Sequence, residues 1–142
     1  MAITRKNIQP EALAAPSRSG HTLYSHVVSV EGRRLIFVAG QLARDRAGNV
    51  VGKGDMRAQI RKVCENIGKG LSHVGAGFDD VVRATTFVTD IEEYYRCSDE
   101  RFKFFKKNRP ASTLIEISRL GHRDAMIEIE CEAIIEPERL KA

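Results

Sequence analysis

The sequence predicts an α+β layer sandwich in which two helices cover one face of a mixed sheet. Three observations carry that prediction. Met56, Ile60, Val63, Ile67, Leu71 and Val74 recur at steps of four and three, which makes one apolar stripe of a helix. LYSHVVSV (23–30) and VVRATTFV (81–88) are rich in β-branched residues and read as strands. In AMIEIECEAII (125–135), Ile127, Ile129 and Cys131 alternate with Glu128, Glu130 and Glu132, the period of a strand with one apolar and one polar face.

The elements follow in order. Residues 1–22 are polar, carry Pro10, Pro16 and Gly20, and read as an extended arm ahead of a single domain over 23–142. LYSHVVSV and RRLIFVAG (33–40) flank Glu31-Gly32, a hairpin signal. DRAGNVVGKG (45–54) is a glycine-punctuated loop, and Asp55 after it is placed to cap the first helix. Gly75 and Gly77 end that helix. Gly68 and Gly70 inside it cost stability and suggest close packing on a sheet. Beyond the strand 81–88, Asp90 and Glu93 form a capping pair for a second helix, whose buried side is Ile91, Tyr94, Tyr95, Phe102 and Phe105. Pro110 stops it. TLIEIS (113–118) and AMIEIECEAII supply the last two strands, so the order is β-β-α-β-α-β-β.

The 142 residues are 42% apolar and 30% charged, an ordinary globular composition sized for one core. No apolar run approaches the ~18 residues of a membrane span, and MAITRKNIQP lacks the apolar stretch of a secretory signal. A net charge of +4 is compatible with acidic ligands but too small to call for nucleic acid by itself. Cys64, Cys97 and Cys131, like the four histidines, are scattered without zinc spacing or a disulfide framework. The expectation is a reducing cytoplasm and no metal site. LIFVA (35–39) is apolar at every position, the pattern of a strand buried on both faces. Two helices cover only one face, so the other calls for a second subunit or for a sheet curled onto itself. Oligomerisation is the preferred reading.

Three carboxylates on one strand face repel each other unless cations or a wet cleft relieve them. Arg119, His122 and Arg123 lie just upstream and could serve. A carboxylate held at a cleft could position a water or shuttle a proton; a solvated strand face is the plainer reading. Tyr24 and His26 share one strand face, where a satisfied edge group is the plainer reading of His26. RFKFFKKNR (101–109) interleaves basic and aromatic residues. At helical spacing its aromatics belong to the core and its bases to a solvated face, with a nucleic-acid footprint the minority reading. P-loop, GxGxxG and nucleophile elbow are all absent.

Four stretches, in this order, resemble the reactive-intermediate deaminase family, also called RidA or YjgF and formerly translation inhibitor L-PSP. They are FVAGQL (37–42), MRAQIRKVCENIGKGLSHVGAGFDDVVRATTFVTDIEEY (56–94), RPASTLIEISRL (109–120) and MIEIECEAI (126–134). RAQIRKVCENI followed by GAGFDDVVRATTFVTD is the most specific phrase. The resemblance implies a chorismate-mutase-like fold, a homotrimer, a ligand cleft between neighbouring subunits and no cofactor. Its best-characterised members hydrolyse enamines or imines to ketones and ammonia. By the same resemblance Tyr24 matches the tyrosine of the family's first strand. Gly40 matches a glycine whose backbone faces the ligand, preceded by Ala39 where serine is frequent. Glu130 matches the glutamate of the last strand, with Glu132 chosen by a two-residue slip. Ser98 stands where the family has an asparagine.

One departure lies in KNRPASTLIEIS (107–118). Deaminating members read Pro-Ala-Arg-Ser at this strand entrance, and the arginine clamps the carboxylate of a 2-imino acid as a bidentate pair. Here Ser112 takes the arginine's place and Thr113 follows. A hydroxyl gives one neutral hydrogen bond. The cleft then binds a less acidic substrate, or Arg109 or Arg44 supplies the cation; more plainly, Ser112 satisfies backbone at the strand start. The expectation is a cofactor-free imine or enamine deaminase, a hydrolase of C–N bonds. Glu130 would activate water, and Tyr24, Gly40, Ser98, Ser112 and Thr113 would hold the ligand. A non-catalytic small-molecule or protein-binding trimer is the alternative. An endoribonuclease ranks last, for want of an obvious histidine pair.

Overall fold

A computed structural model describes residues 4–12, 17–18, 20–22, 24–32 and 34–141. Pro16, Leu23 and Arg33, which entered the sequence reading, lie outside them. The strands are β1 (Thr4–Ile8), β2 (Ser17–Arg18), β3 (His21–Thr22), β4 (Val27–Glu31), β5 (Arg34–Leu42), β6 (Val81–Val88), β7 (Ala111–Glu116) and β8 (Ile127–Ile135). The helices are α1 (Met56–His73), α2 (Ile91–Cys97) and α3 (Asp99–Phe102). Four strands form the main sheet in the order β5-β8-β6-β7. It is mixed, because β6 and β7 run parallel while β8 is antiparallel to both its neighbours.

Helix α1 forms as its apolar stripe predicts. Asp55 caps it by accepting from Ala58 N at 3.0 Å. At the other end Gly75 sits at φ +83°, Ala76 N donates to Leu71 O at 2.9 Å, and Gly75 N donates to Ser72 O at 3.2 Å. This is a Schellman stop, and glycine supplies its left-handed residue. Met56, Ile60, Val63, Cys64, Ile67 and Leu71 are buried against β5 and β8. From the sheet, Val81, Ala84, Val88, Ile127, Ile129, Cys131, Ala133 and Ile135 complete that core. Gly68 does not face the sheet as expected. It lies under the Phe78 ring, 3.1 Å from where a Cβ would stand, and Gly70 faces open space.

The second helix differs from expectation in length. Asp90 Oδ1 accepts from Glu93 N at 2.8 Å as the capping pattern predicts. The helix is interrupted at Ser98, whose hydroxyl donates to Tyr95 O at 3.1 Å, and resumes as α3 only to Phe102. Tyr94, Cys97 and Phe105 still reach the core.

Among the described residues Val27–Glu31 and Arg34–Leu42 do not pair as the expected hairpin. β4 pairs antiparallel with β1, drawn from the arm, and β5 instead pairs with β8. The reason lies in the residues before β7. Asn7 Nδ2 and Ser25 Oγ each donate to Arg109 O at 2.8 Å, and Ser25 N donates to Pro110 O at 3.2 Å. These bonds clasp the β1–β4 ribbon to the entrance of β7. β5 is thereby free to extend the main sheet. On the face away from the helices, Phe37 is 71% and Leu35 52% exposed, with Ile115 also exposed. LIFVA is thus half-buried on one face, through Ile36 and Val38, and uncovered on the other within a single chain.

Candidate functional site

The residues expected in one cleft divide between three depressions of the single chain. The first is built around a β-bulge in β5. Val38 pairs with Cys131 and Gln41 with Ile129, so Ala39 and Gly40 together stand opposite Glu130. After the bulge, Leu42 pairs with Glu128. Glu128 lies so close over Gly40 that a Cβ there would overlap its carboxylate. Asn66 of α1 fixes the strand end by donating to Leu42 O at 3.1 Å and Arg44 O at 2.9 Å. Gly40, Arg44, Glu128, Lys62 and Lys69 line a depression of about 680 Å³. The glutamate beside Gly40 is therefore Glu128, which the expectation had passed over for Glu130.

Glu130 lies on the open sheet face, in a depression of about 310 Å³ with Phe37, Ala39, Thr85 and Glu132. It stands opposite Thr85, and Thr85 stands beside Thr113 across the parallel pair. Thr113 is exposed there, on the opposite side of β7 from Ser112. The cations expected to relieve the three glutamates do not. Arg83 approaches Glu132 at 4.0 Å, whereas Arg123 lies near Asp124 at 3.9 Å and His122 Nδ1 accepts from Asp124 N.

Tyr24, Ser98 and Ser112 do meet, in a third cavity of about 130 Å³ walled by Tyr94, Tyr95, Phe102 and Leu114. The residue that sequence reasoning missed is Arg101, which also lines it. Its side chain is 8% exposed. Nη1 and Nη2 each donate to Ser112 Oγ at 3.4 Å, Nη1 also to Tyr94 Oη at 3.4 Å, and the guanidinium lies 4.7 Å from the Phe105 ring centre. Nε is buried with no acceptor among the described residues. RFKFFKKNR had been divided into core aromatics and solvated bases; Arg101 follows neither rule.

Its neighbour in sequence explains why. Glu100 is 2% exposed and points the other way, where Arg61 donates at 2.8 Å and Lys103 at 2.7 Å, with Arg57 at 3.5 Å. The Arg61 bond, followed by that of Lys103, outweighs burial and holds the Glu100 carboxyl down to about 2. Glu100 thus anchors α3 to α1, and the adjacent side chain is turned into the cavity. Arg109, one of the expected clamps, instead stacks its guanidinium 4.5 Å over Phe102. Burial first, then repulsion from Arg101, lowers its pKa. Arg44, the other, belongs to the Gly40 depression.

All three cysteines are free and buried, and burial pushes Cys64 and Cys131 up to about 12, so neither is a thiolate at neutral pH. Among the described residues no cluster of three metal-ligating side chains occurs, and no helix is long and apolar enough to cross a membrane.

A mixed sheet covered on one side by helices is the architecture of the chorismate-mutase-like YjgF/Rid fold, which the structural neighbours of this chain share. Comparison with known proteins agrees. Residues 14–135 match the family described as Endoribonuclease L-PSP. A RutC family protein of Pyrococcus abyssi is 34% identical over 110 residues, 78% of this chain and 84% of its own. A bovine protein named 2-iminobutanoate/2-iminopropanoate deaminase is 30% identical over 114 residues, 80% of this chain and 81% of its own. The crystal structure of a Rid-family protein of unknown function from Yersinia pestis superposes with a TM-score of 0.80 at 29% identity, covering 92% of this chain and 98% of that one. The chain belongs to the Endoribonuclease L-PSP family, the YjgF/RidA/RutC group.

Proposed function

We propose that the chain forms a homotrimer whose ligand clefts lie between subunits, and that it hydrolyses a small imine or enamine to a carbonyl compound and ammonia without a cofactor. The observation that carries this reading is the division just described. Gly40 with Glu128 and Tyr24 with Ser98 and Ser112 occupy separate places on one chain, and docking one subunit's cavity against a neighbour's bulge would join them. The exposed Phe37, Leu35 and Ile115 supply the apolar face such docking needs. Covering a side chain of this size contributes up to about 1.5–3 kcal/mol. The similarity to the bovine deaminase supports the reaction class.

In the proposed mechanism the Glu128 carboxylate, rather than Glu130, holds a water and accepts its proton as oxygen attacks the imine carbon. The backbone at Gly40 bears no side chain, so ligand and carboxylate can both approach it. Glu128 then returns that proton to the amino nitrogen of the tetrahedral adduct and takes the proton of the adduct hydroxyl as the C–N bond breaks. Ammonia and the carbonyl product leave, and Glu128 gives its proton to solvent, balancing the one the imine nitrogen took up to become the iminium that is attacked. An enamine enters the same path after protonation at carbon. The endoribonuclease reading has one observation in its favour, the cations Arg44, Arg46, Lys62 and Lys69 around the Gly40 depression, but no histidine is among its described lining residues.

The test is ammonia release from imine and enamine pools generated in place by a dehydratase. Wild type should accelerate it, Glu128→Gln should abolish the acceleration with the fold retained, and Glu130→Gln should leave most of it. Loss on Glu130→Gln alone would return the role to Glu130. Ligand-dependent thermal shifts without turnover would favour a binding trimer.

A further inference from the structure

We infer that Arg101 is the carboxylate clamp of this chain, supplied from α3 in place of an arginine at position 112, and that the ligand is a small carboxylate with an apolar flank. The inference rests on reading the Tyr24–Ser112 cavity as part of the ligand cleft.

A guanidinium that is 8% exposed is costly to keep charged without an anion beside it. The other buried charge of this region, Glu100, has three cations around it. Among the described residues Arg101 has no carboxylate, only neutral oxygens of Ser112 and Tyr94 at the long distance of 3.4 Å, and Nε has no acceptor at all. Among the described residues nothing acidic lines the cavity. The second arginine nearby, Arg109, also has no ion-pair partner among the described residues, and its Nη1 is buried without an acceptor. Among the described residues this corner thus holds two guanidiniums with no anion against either, the Glu100 carboxylate being turned to its own three cations.

The missing partner is planar and singly charged, because a guanidinium fork matches a carboxylate through two parallel bonds. Room of about 130 Å³ suits a small acid. Tyr24, Tyr95, Phe102 and Leu114 on the walls suit an apolar substituent. Serine at position 112 acquires a reason as well. An arginine there would set a second guanidinium against Arg101, whereas a hydroxyl accepts from it. The less acidic substrate expected from Ser112 alone is thereby replaced by an acid.

The experiment is titration calorimetry of wild type, Arg101→Met, Arg101→Lys and the exchange Arg101→Ser with Ser112→Arg. The probes are 2-oxobutyrate and benzoate, each against its amide. Wild type should bind an acid at least tenfold more tightly than its amide. Arg101→Met should lose roughly ten- to a hundredfold of that affinity, the range of a charge-assisted bond. Arg101→Lys should keep part of it, and the exchange should recover it. Should the Met variant fail to fold, the acid–amide comparison on wild type and the Lys variant still decide. Equal binding of acid and amide, or unchanged acid binding by a folded Arg101→Met, overturns the clamp. Arg101-dependent acid binding with no ammonia release from any pool keeps the clamp and removes the deaminase. Ammonia release that Arg101→Met does not alter does the reverse.

Discussion

Gly40 shows what a single residue decides in this site. Strand periodicity put Glu128, Glu130 and Glu132 on one face and could not choose among them, because each repeats the same environment in the pattern. What sets Glu128 apart in the fold is a bulge, which inserts one residue opposite Glu130 and brings Glu128 over the glycine. A glycine inside an apolar strand was the available signal. Gly40→Ala should leave the sheet intact and push the Glu128 carboxylate aside. The expected result is a loss of at least tenfold in turnover with a far-ultraviolet spectrum like wild type. An alanine variant as active as wild type would separate Gly40 from the chemistry. Arg101 was illegible for a different reason. Its burial depends on how α3 is turned, and that is decided by Glu100 and partners on another helix, Arg57 and Arg61.

At the scale of elements, local signals were read correctly where they are self-contained. The α1 stripe with its Asp55 cap and Gly75 stop needs no distant partner, and it formed as expected. The β4–β5 hairpin failed because strand pairing is a competition between segments far apart, and the arm's Thr4–Ile8 won β4. The split second helix is a miss of another kind, a local one, since Ser98 back-bonds to Tyr95 three residues earlier and interrupts it. The Glu100 anchor between α3 and α1 makes a pH prediction. Its carboxyl is held to about 2, below its ordinary value near 4.5. A depressed folded-state pKa contributes stability that is fully present above the unfolded value and is lost as pH falls through the folded one. Acid unfolding should therefore deepen between about pH 4.5 and 2. Glu100→Gln should lower stability at pH 7 by about 1–3 kcal/mol and flatten that part of the profile. Denaturant melts across this range check it, and a variant with the wild-type slope would show that the anchor is not ionised in the fold.

For the whole molecule the open sheet face is the dominant feature. The sequence showed it as a strand apolar on both sides, and in the single chain Phe37 and Leu35 indeed remain uncovered. The proposed trimer would cover them and join the two halves of the site. Its stoichiometry and the shared cleft are tested together by complementation. Glu128→Gln damages only the bulge side, and Ser112→Phe plugs only the cavity side. Each variant alone should form trimers by light scattering and release no ammonia. Co-expressed under two tags and purified through both, mixed trimers should regain activity, because one interface in each joins an intact cavity to an intact bulge. In a closed ring of three, every mixed trimer keeps one intact cleft of three, so the doubly purified pool should show about a third of wild-type activity. Mixed trimers that form and stay silent would contradict a site built from two chains.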